Sequence, residues 1–499
     1  MRRVLFIALV GCVSMLNAQK LERTALKISD LKGFRINGNI QGFGSDENNY
    51  YVYAGALDAY FIINKKLTTV KKIAVPDDKK DRFLRIALSG DDVVVFMSRY
   101  KKSESKGEVI MRNFNKTTGK LKSEKVVATF SMKKSDFWGI ATAVSPDKSK
   151  TAFLFLLANK KDKADSYYIM VMNETFNVEW SSEYDLDLSN ESFSVKSFVM
   201  TDKGELYLAF FSHPENVKKA ANKKSYIDLV YLTEETNEKM TLPLEQYEYA
   251  EISLKPLKSG DIYLAALLTV DEKAYASEFL SIKISGHNFN DEGSHSKTIE
   301  DKNTHIKFAP NQLIPFNYLY FLNLEKILEL DNGNIAVVCE QAVSTSYLTQ
   351  DRTRIYVEVR GSVSTFFVNG KDASVEEVSV MGKTQISRSM INAPAKFMSL
   401  SIHPFAYGDK VAYLFNDEFK RYATPAKHKA TSSFKKINGN DACIVLNTQE
   451  SGEKAKIDVL TGNKASGRLC RQILFQEDDR LILFTHSNKE SYIETLSLP

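Results

Sequence analysis

Short polar turns followed by apolar runs recur along this chain. Ser89-Gly90-Asp91-Asp92 precedes Val93-Val94-Val95-Phe96-Met97, and Thr201-Asp202-Lys203-Gly204 precedes Leu206-Tyr207-Leu208-Ala209-Phe210. Lys258-Ser259-Gly260-Asp261 precedes Ile262-Tyr263-Leu264-Ala265, and Asp331-Asn332-Gly333-Asn334 precedes Ile335-Ala336-Val337-Val338. The runs are continuous rather than alternating, which predicts strands covered on both faces. One such unit cannot bury both faces alone, so repetition implies that the units stack on one another.

The clearest unit predicts strands at Phe83 to Leu88, Val93 to Met97, Val109 to Phe114 and Val126 to Phe130, a four-stranded antiparallel meander. A second unit, over residues 193 to 246, repeats the plan with Tyr226 to Leu232 as its third strand. Anchor turns fall at Asp46, Asp91, Asp147, Lys203, Gly260, Asn332, Gly408 and Asp478. They are spaced by about 45 residues at first, about 56 through the middle and about 70 towards the end, as expected of propeller blades with loop insertions. The chain is therefore read as all-β, a β-propeller of eight four-stranded antiparallel blades, with seven the alternative if an end unit is half a blade. The last unit, Leu469 to Leu498, holds only three clear strands, and a strand near Ala25 to Ile28 is expected to complete it and close the ring.

Met1-Arg2-Arg3 followed by the mostly apolar Val4 to Leu16 and by Asn17-Ala18-Gln19 reads as a secretory signal peptide over residues 1–18, leaving 19–499 as a single propeller domain. Leu9-Val10-Gly11-Cys12 offers a competing lipoprotein reading in which Cys12 is acylated and forms a lipid anchor. Both readings send the chain out of the cytoplasm, to the periplasm, the outer-membrane surface or the medium, and no later stretch predicts a transmembrane helix. The formal charge of +5 falls once Arg2 and Arg3 are removed, so nucleic acid is not an expected partner. Cys339, Cys443 and Cys470 each lie in or beside an apolar run and read as small buried hydrophobes, with a Cys443 to Cys470 disulfide open in an oxidising compartment.

Val144-Ser145-Pro146-Asp147-Lys148-Ser149 resembles the Ser-Pro-Asp-Gly repeat of WD40-like propellers of the TolB type, with Lys148 standing where glycine is usual. A second resemblance runs through Asp331-Asn332-Gly333-Asn334, Glu340-Gln341, Gly382-Lys383-Thr384-Gln385 and Phe415-Asn416-Asp417, and is to secreted proteins of Gram-negative bacteria with no assigned activity. The first implies a propeller and the second export. Neither implies a reaction.

Connections between second and third strands emerge together on one face of a propeller, the usual ligand face. In three consecutive units they are lysine-rich, with Lys101 and Lys102, then Lys160, Lys161 and Lys163, then Lys218, Lys219, Lys223 and Lys224. Side by side they would form a basic crescent for an anionic polysaccharide or an acidic envelope protein, or simply a row of solvated hairpin tips. Glu340, Lys383 and Asp417 are the other binding candidates: Glu340 ends an apolar strand, where a carboxylate needs a partner such as Lys383 or Arg388. His287, His295 and His305 are irregularly spaced in a polar insertion and read as a hydrated loop rather than a metal site. Trp138 and Trp180 are expected to fill blade interfaces.

The chain has no Gly-x-Ser-x-Gly elbow, no His-Glu-x-x-His, no glycine-rich phosphate loop, no sialidase Asp-box and no quinoprotein docking pattern, so no cofactor is expected. Three readings remain: a non-catalytic exported binding propeller, a glycan-active hydrolase with carboxylates in the central pocket, and a structural component of an envelope assembly.

Overall fold

The computed structural model describes residues 23–28, 40–75, 81–131, 139–157, 166–185, 191–214, 225–244, 249–269, 278–284, 304–307, 322–349, 353–381, 385–389, 402–418, 442–449, 456–459, 469–486 and 490–498. They form eight antiparallel sheets. The blades, numbered in chain order, begin with the strands Ile40–Ser45, Asp81–Ser89, Gly139–Val144, Glu191–Met200, Tyr249–Pro256, Leu322–Glu329, His403–Tyr407 and Leu469–Glu477. Seven of them then add their further strands outward in chain order, and blade eight adds two in that way. All eight expected anchor turns fall at or within a residue of the connection between a first and a second strand. First strands of neighbouring blades approach one another and so surround the axis. Fourth strands such as Val178–Asp185 alternate exposed and half-buried residues at the outer rim.

Alternation within the second strand explains why its sequence is apolar throughout. In Asp92–Lys101, Val93, Val95 and Met97 pack against blade one, whereas Val94 and Phe96 pack against blade three. Successive side chains point to opposite faces, and here both faces are blade interfaces. The buried core accordingly divides into interfaces between consecutive blades, and the series closes where Phe405 and Leu414 of blade seven meet Leu481 and Leu483 of blade eight, and Ile482 and Phe484 of blade eight meet Val52 and Phe61 of blade one. Aromatic pairs reinforce several joints, among them Phe279 and Phe366 stacked with ring centroids 4.1 Å apart. Trp180 packs against the interface of blades three and four, as expected. Trp138 lies outside the described residues.

Arg23–Lys27 pairs with Ser491–Ser497 from Arg23 opposite Leu496 to Lys27 opposite Tyr492. It is the outermost strand of blade eight and completes the ring as the sequence predicts. Blade one is wedged hard against its neighbours at the axis. A Cβ on Gly42 would lie 2.5 Å from the Leu474 carbonyl of blade eight, and one on Gly44 would lie 2.4 Å from the Leu88 side chain of blade two. Only glycine admits that approach.

Blade six departs from the common plan. Its second and third strands, Ile335–Leu348 and Arg354–Val368, extend beyond those of the other blades, and Gln385–Ser389 pairs with the distal part of the third as a fifth strand. Cys339 is a buried free thiol and Cys470 is buried, whereas the side chain of Cys443 lies outside the described residues. Among the described residues no helix is long and apolar enough to cross a membrane.

Candidate functional site

Lys101 and Lys102 sit where the sequence predicts, at the hairpin between the second and third strands of blade two and at the opposite end of those strands from the anchor turn. Lys102 is exposed. Lys101 Nζ lies 2.7 Å from Glu108 Oε1, and that carboxylate holds its ammonium pKa up. Beneath them, buried Asp81 accepts from Arg99 Nε at 2.6 Å and from Arg112 Nη2 at 2.7 Å, and Arg112 Nε donates to Glu124 at 2.7 Å. The rim of blade two is thus braced by ion pairs. Lys160, Lys161 and Lys163 fall between the second and third strands of blade three, and Lys218, Lys219, Lys223 and Lys224 between those of blade four; all seven lie outside the described residues, as does Lys383.

Glu340 is fully buried in blade six. Its partner is Arg360, whose Nη1 lies 3.5 Å from Glu340 Oε2 and 3.3 Å from Glu325 Oε1. The sequence reading names Lys383 or Arg388 as a partner, and the side chains of both lie outside the described residues. Register places Arg360 opposite Ala342 on the adjoining strand, just past an irregularity at Gln341. One guanidinium therefore bridges two carboxylates, which lie no further apart than the sum of those distances. Asp417 stands opposite Cys443 in blade seven, and its side chain is outside the description. Its neighbour Asn416 is buried and bonds across to blade eight.

The first strands, innermost in their blades, carry charged groups that sequence reading did not single out. Lys196 occupies a bulge in the first strand of blade four, between Val195 and Ser197, with its Nζ 5.7 Å from the centre of the Phe211 ring. Burial pushes its pKa down, against the pull of Glu251. Glu251, on the first strand of blade five, accepts the Leu324 N–H of blade six at 2.8 Å. Burial pushes its carboxyl pKa up, opposed by that hydrogen bond and by Lys196. Lys326 Nζ donates to the Pro404 carbonyl of blade seven at 3.1 Å, and burial, then Lys255, pushes its pKa down. Cys339 lies buried near Glu251 and Glu325, and its thiol is pushed up by burial first and then by both carboxylates, so it is a poor nucleophile. The available signal was a lone charge inside an apolar strand, as in Val195-Lys196-Ser197-Phe198, where a bulge breaks the two-residue period.

On the opposite face, a recess of about 320 Å³ lies between the anchor turns of blades four and five, with Pro146, Asp202, Lys203 and Lys258 in its wall. Neighbouring turns are tied together here. The Asp147 N–H donates to Asp202 at 2.8 Å, and the Lys258 N–H donates to Glu329 at 2.9 Å.

No family model matches the chain, and no curated protein does. Among solved structures, the chain is similar to the polysaccharide lyase Uly1, with 10% identity over 96% of this chain and 100% of that one, at a TM-score of 0.35. It is also similar to the β-propeller domain of the trilobed protease from Pyrococcus furiosus, with 10% identity over 84% of this chain and 94% of that one, at 0.33. Prolyl oligopeptidase B from Galerina marginata is 8% identical over 84% of this chain and 56% of that one, at 0.34. At such scores the likenesses add nothing to the strand order, which by itself makes the chain an eight-bladed β-propeller.

Proposed function

We propose that the chain is an exported, non-catalytic propeller of the bacterial envelope that binds an acidic protein or an anionic glycan through its second-to-third-strand face. One observation carries the reading. In blades two, three and four the second strand ends and the third begins on the same face, so the chain between them leaves from adjacent positions on one rim. The intervening sequence supplies Lys101, Lys102, Lys160, Lys161, Lys163, Lys218, Lys219, Lys223 and Lys224. Cations gathered on one rim raise the local concentration of an anionic partner, an effect screened beyond about 8 Å at physiological salt. The signal-like residues 1–18, or the lipid-anchor motif at Cys12, would deliver this face to the envelope.

The test is chromatography of the mature chain on immobilised uronate or sulfated glycan. Salt-dependent retention that disappears when the nine lysines become glutamine supports the reading, and retention indifferent to that change defeats it.

Glu251 favours a second reading, a glycan-active hydrolase. A carboxyl on an inner strand with its pKa pushed up by burial is what a general acid requires, and the carboxylates of Glu325 and Glu340 lie beside Arg360 in the adjacent blade. Release of reducing ends from acidic polysaccharides by the wild type, abolished by Glu251→Gln, would establish it in place of the first.

A further inference from the structure

Lys196 is the extra residue of a bulge in Glu191–Met200, the innermost strand of blade four. Val195 pairs with Phe210 and Ser197 with Ala209, and Lys196 falls between them. In a regular strand successive side chains point to opposite faces. Here Val195 and Phe198 pack towards blade three, and Val199 packs towards blade five. Lys196 and Ser197 both turn to blade five: Lys196 Nζ stands 5.7 Å from the centre of the Phe211 ring, a member of the core between blades four and five, and Ser197 Oγ accepts the Leu254 N–H at 3.0 Å. The bulge thus re-aims a lysine out of the alternation and into a joint between blades.

The joint that receives this amine is apolar, with Phe211, Ala250, Ile252 and Leu268 in one buried cluster. Glu251 lies between Ala250 and Ile252 and is directed to the other side of its strand, where it accepts the Leu324 N–H of blade six. It therefore acts on Lys196 only across the strand. Burial disfavours the charged ammonium and pushes its pKa below the ordinary lysine value, and the pull of Glu251 does not cancel that. Of the other strands packed on Lys196's own, Gly139–Val144 has no titratable side chain, and Leu206–Pro214 has Tyr207, opposite Val199, and His213. Lys255 of blade five stands opposite Tyr263, near the anchor turn, and the side chains of His213 and Tyr249 lie outside the described residues. Lys196 is still partly exposed, so solvent and small solutes reach it.

We propose that Lys196 is a nucleophilic amine that condenses with small aldehydes, open-chain reducing sugars among them, to form an imine. The Nζ lone pair adds to the carbonyl carbon, and one Nζ proton passes to the oxygen to give a carbinolamine. That hydroxyl then leaves with the second Nζ proton as water, and the C=N bond remains. No oxidant or reductant enters. Only the uncharged amine can make the first bond, and an exposed lysine near pH 7 is uncharged to about one part in a few thousand. A desolvated lysine that solutes still reach is set apart from the many on the surface by its larger uncharged fraction. This site is separate from the lysine rim, and the two stand or fall independently.

The test mixes the folded chain with glycolaldehyde and cyanoborohydride, which reduces an imine to a stable secondary amine, and maps the modified lysines by peptide mass spectrometry across neutral and alkaline pH. Lys66, Lys72 and Lys102 are exposed and serve as internal standards. Near neutral pH Lys196 should be modified about tenfold faster than these three or more, since each unit of lowered pKa is a tenfold gain in free amine, and its rate should level off at a lower pH than theirs. In urea the advantage should vanish, because it belongs to the fold. Lys196→Arg keeps the charge but cannot form an imine, and should remove the fast phase from the whole-protein mass. The proposal is overturned if Lys196 reacts no faster than the three standards, if its pH profile follows theirs, if the advantage persists in urea, or if the fast phase survives in Lys196→Arg. The mapping on the wild-type chain decides the matter even where that variant fails to fold.

Discussion

Asn416 of blade seven clasps Cys470 of blade eight with both ends of its amide: Nδ2 donates to the Cys470 carbonyl at 2.6 Å, and Oδ1 accepts the Cys470 N–H at 2.7 Å. The side chain thus does for a blade joint what a ladder pair does within a sheet. Gln385 Nε2 in turn donates to the Asn416 carbonyl at 2.5 Å, so blades six, seven and eight are joined in series. Asn416→Ala leaves buried backbone groups of Cys470 unpaired and should cost about 2–4 kcal/mol in urea-induced unfolding. Asn416→Asp should be no better, because it loses the donor and buries a charge.

Gly42→Ala tests the tight closure of the ring. The added methyl meets the Leu474 carbonyl, part of a backbone that cannot swing aside. A loss of about 1–3 kcal/mol is expected, measured by thermal unfolding.

Lys148 adopts a left-handed conformation, φ 64°, at the position where the Ser-Pro-Asp-Gly repeat carries glycine. The Ser145 hydroxyl donates to Asp147 at 2.5 Å and holds the turn despite that cost. Lys148→Gly relieves the strain and should stabilise the chain by about 1 kcal/mol, net of the entropy that glycine loses on folding.

Glu251 sets a pH dependence of unusual direction. Its carboxyl pKa in the fold is raised from 4.5, with burial the leading cause. Below 4.5 the group is protonated in both states and the fold keeps its full contribution; as pH rises through the higher folded value, the unfolded chain has already ionised and stability is lost. Glu251→Gln can still accept the Leu324 N–H. It should therefore be more stable than the wild type at neutral pH, with the difference vanishing in acid. Unfolding midpoints across that range decide the matter.

Deleting residues through Lys27 strips the outer strand from blade eight. Ser491–Ser497 then becomes an exposed edge and Ile28 leaves its place in the core with Ile493 and Phe484. A large fall in the unfolding temperature and self-association on size-exclusion chromatography are expected.

The ring was legible in the sequence because its signal is repeated: apolar second strands and glycine or Asx turns recur in every blade, and each copy supports the reading of the others. The closing strand was legible from arithmetic, since the last unit was one strand short. The charges of the inner strands were not. Lys196, Glu251 and Lys326 are single charges whose meaning depends on the neighbouring blade, which leaves no local sequence signature. Glu340 shows the same limit: the need for a partner followed from its place in an apolar strand, but that Arg360 is one such partner follows from the pairing of the strands.

The pairing of Arg23–Lys27 with Ser491–Ser497 also governs when the molecule can become whole. Contacts between strands so distant in sequence form late, because closing the longest loop carries the largest entropic penalty. Each earlier blade can assemble on its predecessor as the chain emerges, yet the first strand has no sheet to join until the last hairpin arrives. A chain halted anywhere before Ser491 is an open horseshoe with apolar ends, distinguishable by proteases and chaperones from a finished one. The joint therefore acts as a check that the last hairpin has been made.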